Sequence, residues 1–384
     1  MDALRRSGFA LALLAGSALA ACGGGGAGSV PVPASGSGAN TSSVVRTSAV
    51  TAPVTPSGPV ALGRYTIDPA KVFVAGISSG GFFAVQMHVA HSATFKGAAV
   101  YAGGVYDCAS GSVYTALLDC GGAGLYVSTL AASEAYLDAQ SAARTIDDER
   151  NLRRSPVYLW SGTADALVKQ AEMNDLDTEY RHYGADVVRY DNAFPAEHGW
   201  ESPNGELACG TLGTPYMIAC NQGAKPYDSE AVWMSAFFGR LAARNDRAPE
   251  GRLVNFDQTA FGAGAANSMD TNGYVFVPPG CERHGAGDGL GRGCGLVVAF
   301  HGCLQTQADI GTKFITESGI DEWADRNGVI VLYPYAVKSP TVPFNPQGCW
   351  DWWGYDDPNY ATKSGTQISI VYAMVQHMMA GGER

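Results

Sequence analysis

Short apolar runs alternate with longer polar or amphipathic stretches along most of the chain. Val72–Ala75, Pro156–Trp160 and Leu296–Phe300 are β-branched or aromatic runs, which are typical of buried β-strands. Residues 169–184, KQAEMNDLDTEYRHYG, have instead the charge and the periodicity of a surface helix. A further helix is predicted over residues 365–380, GTQISIVYAMVQHMMA. This pattern predicts an α/β fold with a mainly parallel central sheet flanked by helices.

The N-terminal segment breaks this pattern. Residues 1–21 hold two arginines and then an apolar stretch that ends in small residues, which predicts a bacterial signal peptide rather than a membrane span. The sequence Leu-Ala-Ala-Cys that ends at Cys22 resembles a lipoprotein box and predicts acylation of Cys22, with ordinary signal-peptidase cleavage as the alternative. Residues 22–58 are rich in Gly, Ser, Thr and Pro, which predicts a flexible tether. Residues 59–384 are then expected to form a single folded domain.

Composition narrows the classes of partner. The chain has 384 residues, of which 46% are hydrophobic, and this is enough for a large core. The formal net charge of −11 at pH 7 argues against nucleic acid and against an anionic membrane surface, because both would repel the chain. We therefore expect membrane association only through a lipid on Cys22. The signal peptide predicts an exported protein, either an envelope or outer-membrane lipoprotein or a secreted one.

The cysteines agree with export. Besides Cys22 there are eight, which suggests four disulfides among 105 formal connectivities. Three pairs are close in sequence, and their pairing leaves the last two cysteines for each other. The predicted disulfides are Cys108–Cys120, Cys209–Cys220, Cys281–Cys294 and Cys303–Cys349. No two cysteines have C-x-x-C spacing and no histidine pair lies nearby at ligand spacing, so neither a metal site nor a cofactor is expected.

The segment VFVAGISSGGFFAVQ, residues 72–86, joins a predicted strand to a predicted helix through Gly76-Ile77-Ser78-Ser79-Gly80. A serine at the tip of such a sharp turn is the nucleophile elbow of α/β-hydrolases, with the first N–H groups of the helix beside the hydroxyl. A glycine-rich turn that happens to contain serine is the structural alternative. Ser78 is the predicted nucleophile, and Ser79 is the second choice.

A serine nucleophile needs a base and a carboxylate that orients the base. Asp165 follows the strand Pro156–Trp160, and His198 follows the next predicted strand, near Val187–Tyr190. Both therefore lie in loops and in the order Ser, Asp, His. Each could instead cap a turn. We interpret the other acids as residues of a solvated helix face or strand edge, and the other histidines of these segments as packing or surface residues: Asp175, Asp177, Asp191, His88, His91 and His182.

The second oxyanion loop of an α/β-hydrolase normally precedes the nucleophile, but here the matching segment follows the predicted histidine. The run Leu296–Phe300 leads into His301-Gly302-Cys303, and further buried runs flank it in GYVFVPPG and GVIVLYPYA. The strands that normally come before the elbow are therefore expected after it. The order of segments predicts a circularly permuted α/β-hydrolase, which is tolerable because the termini of such domains lie at the surface.

The elbow segment, the order Ser, Asp, His, and the motifs FHGCLQ and GCWDWWG together resemble secreted poly(3-hydroxybutyrate) (PHB) depolymerases of the permuted, fungal-like kind. The resemblance runs from about residue 60 to the end. It implies Ser78 as nucleophile, His198 as base and Asp165 as its partner. It also implies an oxyanion hole formed by two backbone N–H groups, those of Ser79 and Cys303. A tryptophan of the last motif is implied to line the substrate cleft, with Trp350, Trp352 and Trp353 as the candidates.

The resemblance implies a cofactor-free serine esterase that cleaves PHB or its oligomers through an acyl-enzyme, and we expect a monomer. Secreted relatives usually carry a separate polymer-binding domain, and the predicted fold here accounts for the chain to Arg384. Soluble oligomers are therefore expected to be better substrates than crystalline polymer. Two alternatives stay open: a feruloyl or acetyl-xylan type carboxylesterase, and a non-catalytic envelope lipoprotein with a hydrolase fold.

A Cys303–Cys349 disulfide would also hold the oxyanion loop against the aromatic motif.

Overall fold

A computed structural model describes residues 58–122, 126–282 and 293–382. The predicted signal peptide, Cys22 and residues 22–57 of the predicted tether lie outside the described residues. The division into signal peptide, tether and domain therefore stays a prediction. No helix in the described part of the chain is long and apolar enough to cross a membrane.

A large twisted sheet of eight strands organises the described residues. Numbered along the chain, its strands are β1 (Ile67–Ile77), β2 (Ala98–Tyr101), β3 (Pro156–Trp160), β4 (Asp186–Asp191), β5 (Arg252–Asp257), β6 (Asn272–Val277), β7 (Cys294–Phe300) and β8 (Val329–Tyr333). Their order across the sheet is β5-β6-β8-β7-β1-β2-β3-β4. β6 is antiparallel to both of its neighbours, and the remaining pairs are parallel. The predicted, mainly parallel sheet is confirmed.

The strand order also confirms the predicted circular permutation. β1 lies in the middle of the sheet, where Val74 pairs with Val298 of β7 on one side and with Ala98 of β2 on the other. The strands β2 to β4 that follow in sequence extend the sheet in one direction, and the four later strands fill the opposite side. β1 is longer than its apolar run because Ile67 already pairs with Cys294.

Helices cover both faces of the sheet, because successive side chains of each buried strand point to opposite faces. In β1, Val72 and Val74 belong to one buried cluster, whereas Phe73 and Ala75 belong to the other. The longer helices are α1 (Ser79–Ala90), α2 (Leu130–Ala143), α3 (Gln170–His182), α4 (Ser229–Phe238), α5 (Ile320–Asn327) and α6 (Thr366–Met379).

Shorter elements fill the connections. Single helical turns or short helices span Val113–Thr115, Ala116–Cys120, Glu149–Leu152, Thr259–Phe261, Ala265–Asn267, Gln307–Ile310, Lys313–Glu317 and Ala380–Gly382. Two small sheets follow His198 in sequence, with strands Trp200–Glu201, Leu207–Ala208 and Met217–Ala219 in one, and Asn221–Gln222 and Lys225–Pro226 in the other.

One interpretation of a charged residue is wrong, that of Asp191, and the predicted surface helix α3 also has a buried acidic face. On α3, Glu172 and Glu179 are buried and accept hydrogen bonds from the N–H groups of Val105 and Tyr106, both at 2.9 Å. Asp191 is likewise buried at the end of β4, where it accepts hydrogen bonds from tyrosine hydroxyl groups. In each case a polar group from a distant segment donates a hydrogen bond to the buried carboxyl group.

The structure contains four disulfides at the pairings named from the sequence: Cys108–Cys120, Cys209–Cys220, Cys281–Cys294 and Cys303–Cys349. Three of them close loops of 11 to 13 positions, and the fourth closes a loop of 46. Disulfides of this number are typical of proteins that fold in an oxidising compartment. They fit an exported protein.

Candidate active site

Ser78 occupies a strained turn between the end of β1 and the start of α1. Its backbone has φ 56° and ψ −126°, in the left-handed half of the map that non-glycine residues rarely enter. Such strain persists only where the surroundings impose it, and it is frequent at functional sites. The Ser78 N–H donates to the carbonyl oxygen of Tyr101 in β2 at 2.9 Å, and the residue remains partly exposed. The turn therefore presents a hydroxyl group at the carboxyl end of the central strand.

Glycines allow this turn because the backbone segments come too close for a side chain. A β-carbon on Gly76 would lie 2.1 Å from the carbonyl oxygen of Gly80. A β-carbon on Gly80 would lie 2.4 Å from the carbonyl oxygens of both Phe300 and His301. The start of α1 thus rests directly on the backbone that leaves β7.

His198 and Asp165 form a buried pair. His198 Nδ1 lies 2.9 Å from Asp165 Oδ2, and both side chains are almost fully shielded from solvent. The other carboxylate oxygen, Asp165 Oδ1, accepts hydrogen bonds from the N–H groups of Leu167 and Val168 at 2.9 and 2.8 Å. Both carboxylate oxygens of Asp165 therefore have hydrogen-bond partners. The carboxylate fixes the orientation of the His198 ring and leaves Nε2 free to accept a proton. Asp165 follows β3 and His198 follows β4, as predicted.

Ser78 and His198 line the same cavity, whose volume is about 440 Å³. Ser79 and Cys303, the residues with the predicted oxyanion N–H groups, line it as well. Most of the remaining lining is apolar and includes Val113, Leu117, Leu167, Val168, Trp352 and Trp353. The cavity therefore places a hydroxyl group and an imidazole inside a pocket that suits an apolar ligand.

The two candidate N–H groups reach the cavity from different loops. Ser79 is the first residue of α1, and the N–H groups of a first helical turn have no partner within the helix. Among the described residues, the N–H of Cys303 donates to no protein acceptor. Gly302, its neighbour, lies so close to the elbow that a β-carbon on it would sit 3.1 Å from the β-carbon of Ser78. Two unpaired donors beside a hydroxyl group can stabilise a negative oxygen.

Ser79 is less suited than Ser78 to act as nucleophile. Its side chain is buried, and its Oγ accepts a long hydrogen bond of 3.4 Å from the backbone N–H of Trp350. The Ser79 hydroxyl thus faces the packed interior, whereas Ser78 stays partly exposed. The geometry favours Ser78, the first choice from the sequence.

The three predicted cleft tryptophans separate into two groups. Trp352 and Trp353 line the cavity, and the Trp352 ring stacks on Phe82 with centroids 4.2 Å apart. Trp350 does not line it. That residue is fully buried, and its ring stacks on Phe83, so its inclusion among the substrate-binding residues is wrong. The motif therefore contributes one anchor in the core and two rings at the cavity.

The other histidines lie where the sequence interpretation placed them. His88 and His91 are buried on α1, where His88 Nδ1 meets the hydroxyl of Tyr180 at 3.1 Å and the ring of His91 stacks on Tyr372. His182 ends α3 and is half-exposed. No group of three His, Cys, Asp or Glu residues in the described ranges could hold a metal ion.

Sequence reasoning missed the apolar rim of the cavity. Val113 and Leu117 come from the loop closed by the Cys108–Cys120 disulfide, and Tyr216 comes from the segment after His198. The sequence could have indicated the contribution of Val113 and Leu117, because their loop follows β2, the neighbour of β1. Loops at the carboxyl ends of adjacent parallel strands meet above the same edge of the sheet.

Comparisons with known proteins identify the family of the chain. A family model described as Esterase PHB depolymerase matches residues 275–384. The chain is 38% identical to a poly(3-hydroxybutyrate) depolymerase of Delftia acidovorans over 84% of its length, and spans 62% of that protein. It is 34% identical to a polyhydroxybutyrate depolymerase of Talaromyces funiculosus, of which it spans 93%. The chain belongs to the PHB depolymerase family.

Solved structures of PHB depolymerases have the same fold. The enzyme from Penicillium funiculosum superimposes with a TM-score of 0.73 at 32% identity, and the match covers 84% of this chain and 99% of that one. A second structure, a serine-to-alanine variant of a PHB depolymerase in complex with an R3HB trimer, gives a TM-score of 0.74 with the same coverage. The predicted α/β-hydrolase fold is confirmed.

Proposed function

We propose that this PHB depolymerase family member is a serine esterase that hydrolyses poly(3-hydroxybutyrate) or its oligomers. The observation that carries the proposal is the shared cavity. A strained, partly exposed Ser78, the buried His198–Asp165 pair and two unpaired N–H groups meet in one apolar pocket. Relatives with PHB depolymerase names support the choice of ester.

The proposed reaction is a two-step acyl transfer. His198 Nε2 removes the proton of Ser78 as Oγ attacks the ester carbonyl carbon, and Asp165 stabilises the resulting imidazolium. The N–H groups of Ser79 and Cys303 stabilise the tetrahedral oxyanion. The alcohol leaves with the proton from His198, and water repeats the attack on the acyl-enzyme to release the hydroxy acid.

The apolar lining suits a polyester of short, methyl-bearing units. Leu117, Leu167 and Val168 offer contacts for methyl groups, and Trp352 and Trp353 offer broad faces against which the chain can lie. The relative that holds an R3HB trimer supports a ligand of a few monomer units. We propose that a segment of several units occupies the cavity during cleavage.

A side-by-side assay tests the substrate. The purified protein is given p-nitrophenyl butyrate, soluble 3-hydroxybutyrate oligomers, amorphous PHB, crystalline PHB film and a feruloyl ester at equal ester content, with Ser78→Ala as the blank. Oligomers and amorphous PHB should be cleaved fastest. A faster rate on the feruloyl ester would favour the other carboxylesterase class, and no turnover of any ester would favour a binding protein.

We propose further that the protein is monomeric and that Cys22 carries the lipid of an envelope lipoprotein. The motif Leu-Ala-Ala-Cys and the four disulfides support an exported, anchored protein. Cys22→Ala should move the protein from the membrane fraction to the soluble fraction. The same distribution for both forms would contradict the anchor, and a dimer mass in size-exclusion chromatography with light scattering would contradict the monomer.

A further inference from the structure

The loop that follows β7 holds one peptide unit between two buried side chains. We propose that His301 and Gln305 are positioning residues that orient the Gly302–Cys303 peptide so that its N–H points at the reacting carbonyl. This inference rests on the proposed function, because it assumes the Cys303 N–H as an oxyanion donor. Neither side chain is itself a catalytic residue, since both act through the backbone.

His301 is fixed by two hydrogen bonds. Its Nε2 lies 3.1 Å from the N–H of Ala336, which can only donate, and its Nδ1 lies 2.7 Å from the carbonyl oxygen of Gly302, which can only accept. The ring must therefore be neutral, with its proton on Nδ1. Burial agrees, because it lowers the pKa of His301 to about 4. The ring also stacks on Tyr335, with centroids 4.9 Å apart.

Peptide geometry transmits this constraint to the donor. The carbonyl of Gly302 and the N–H of Cys303 belong to one planar unit, and the described cis peptide bonds precede prolines elsewhere. In a trans unit the two groups point in opposite directions. Because His301 binds the carbonyl on the buried side of the loop, the Cys303 N–H points away from the core. Cys303 lines the cavity on that side.

Gln305 constrains the other side of the same glycine. Its Oε1 accepts a hydrogen bond from the Gly302 N–H at 2.6 Å, and its Nε2 donates to the carbonyl oxygen of Pro215 at 2.7 Å. Pro215 precedes Tyr216, another residue of the cavity wall. The fully buried Gln305 thus ties the oxyanion loop to the segment that follows His198. With both of its backbone polar groups engaged, Gly302 cannot rotate without breaking a buried hydrogen bond.

Two substitutions at His301 separate orientation from packing. In His301→Asn the amide nitrogen takes the place of Nδ1 and can still donate to Gly302, whereas in His301→Gln the side-chain oxygen takes the place of Nε2 and can serve only Ala336. We measure kcat and KM with p-nitrophenyl butyrate, and thermal midpoints, for both variants and for Ser78→Ala. His301→Gln should lose about 100-fold in kcat with KM nearly unchanged, the effect of removing one oxyanion donor. His301→Asn should keep most of kcat.

Gln305→Met is an independent test, because methionine has a similar side-chain volume but leaves the Gly302 N–H without its acceptor. Its kcat should fall while KM stays, and Gln307→Met, on the neighbouring short helix, is the matched control. Equal losses in the two His301 variants, or losses that follow the thermal midpoints, would overturn the inference. A wild type that is inactive, or no more active than Ser78→Ala, would instead contradict the proposed function and the inference with it.

Discussion

Two loops that meet at the cavity are shaped by different means. The elbow around Ser78 is determined by backbone sterics, since glycines at positions 76 and 80 let carbonyl groups approach where a β-carbon would clash. The loop around Cys303 is determined by side chains, because two buried residues and a disulfide to Cys349 hold it. The elbow therefore tolerates no added atom in its glycines, whereas the second loop depends on hydrogen bonds that substitutions can remove one at a time.

The largest effect should come from the elbow serine. Ser78→Ala removes the nucleophile and should lower kcat on the order of a million-fold, as in other triad knockouts, with the thermal midpoint nearly unchanged. Ser79→Ala is the matched control, because it keeps the backbone N–H and deletes only a buried hydroxyl. Retained turnover in Ser78→Ala together with its loss in Ser79→Ala would move the nucleophile by one residue.

A clash between the two loops should have the next largest effect. In Gly80→Ala the new methyl group would lie 2.4 Å from the carbonyl oxygens of Phe300 and His301, so α1 and the end of β7 must separate. A shift of about 1 Å at the nucleophile should lower kcat about 100-fold. Gly210→Ala is the control, because its nearest neighbour would be 3.4 Å away. Wild-type kcat in Gly80→Ala would show that the loops can move apart freely.

Removal of the Cys303–Cys349 disulfide should affect turnover less. The Cys303→Ser/Cys349→Ser variant opens a 46-position loop and should lose about 4 kcal/mol in the free energy of unfolding, with a several-fold decrease in kcat. The matched variant Cys281→Ser/Cys294→Ser opens a 13-position loop and should lose about 3 kcal/mol without a change in kcat. Urea unfolding and steady-state kinetics measure both. Equal kcat in the two variants would show that the Cys303–Cys349 disulfide does not position the oxyanion loop.

Substitution of a buried carboxyl group of α3 should leave turnover unchanged, because these groups lie outside both loops. Burial raises the pKa of Glu172 to about 8 and that of Glu179 to about 8, against an ordinary 4.5. Between these values the folded state holds protons that the unfolded state has lost, so the free energy of unfolding should fall as pH rises from about 5 to 8.

Each group should contribute about 1.4 kcal/mol per pH unit to that decline. Glu172→Gln should make the decline shallower without a change in kcat, and the partly exposed Asp177→Asn is the control on the same helix. Urea unfolding at four pH values measures the slope. An unchanged slope in Glu172→Gln would show that this carboxyl group is ionised in the folded state.

Local chemistry explains what could be predicted from the sequence. The elbow was predictable because its glycines and its flanking apolar runs lie within one short segment, and the order of the later strands was visible in the same way. Trp350 was assigned wrongly because residues 350–356 form an irregular loop, where no period tells which ring points inward. For the buried Glu172 and Glu179 a signal existed: they lie seven positions apart, on the same helix face as Leu176.

The permuted strand order also determines when the middle of the sheet is completed during synthesis. β1 emerges first, but one of its two neighbours, β7, is the last but one strand of the sheet to be translated. Until then, the apolar residues Val72–Ile77 form an open strand edge, the kind of surface that pairs with other chains. Folding of the N-terminal half on its own would therefore invite aggregation. Export in an unfolded form would postpone pairing until the whole chain is present, so this topology suits a protein that folds after leaving the cytoplasm.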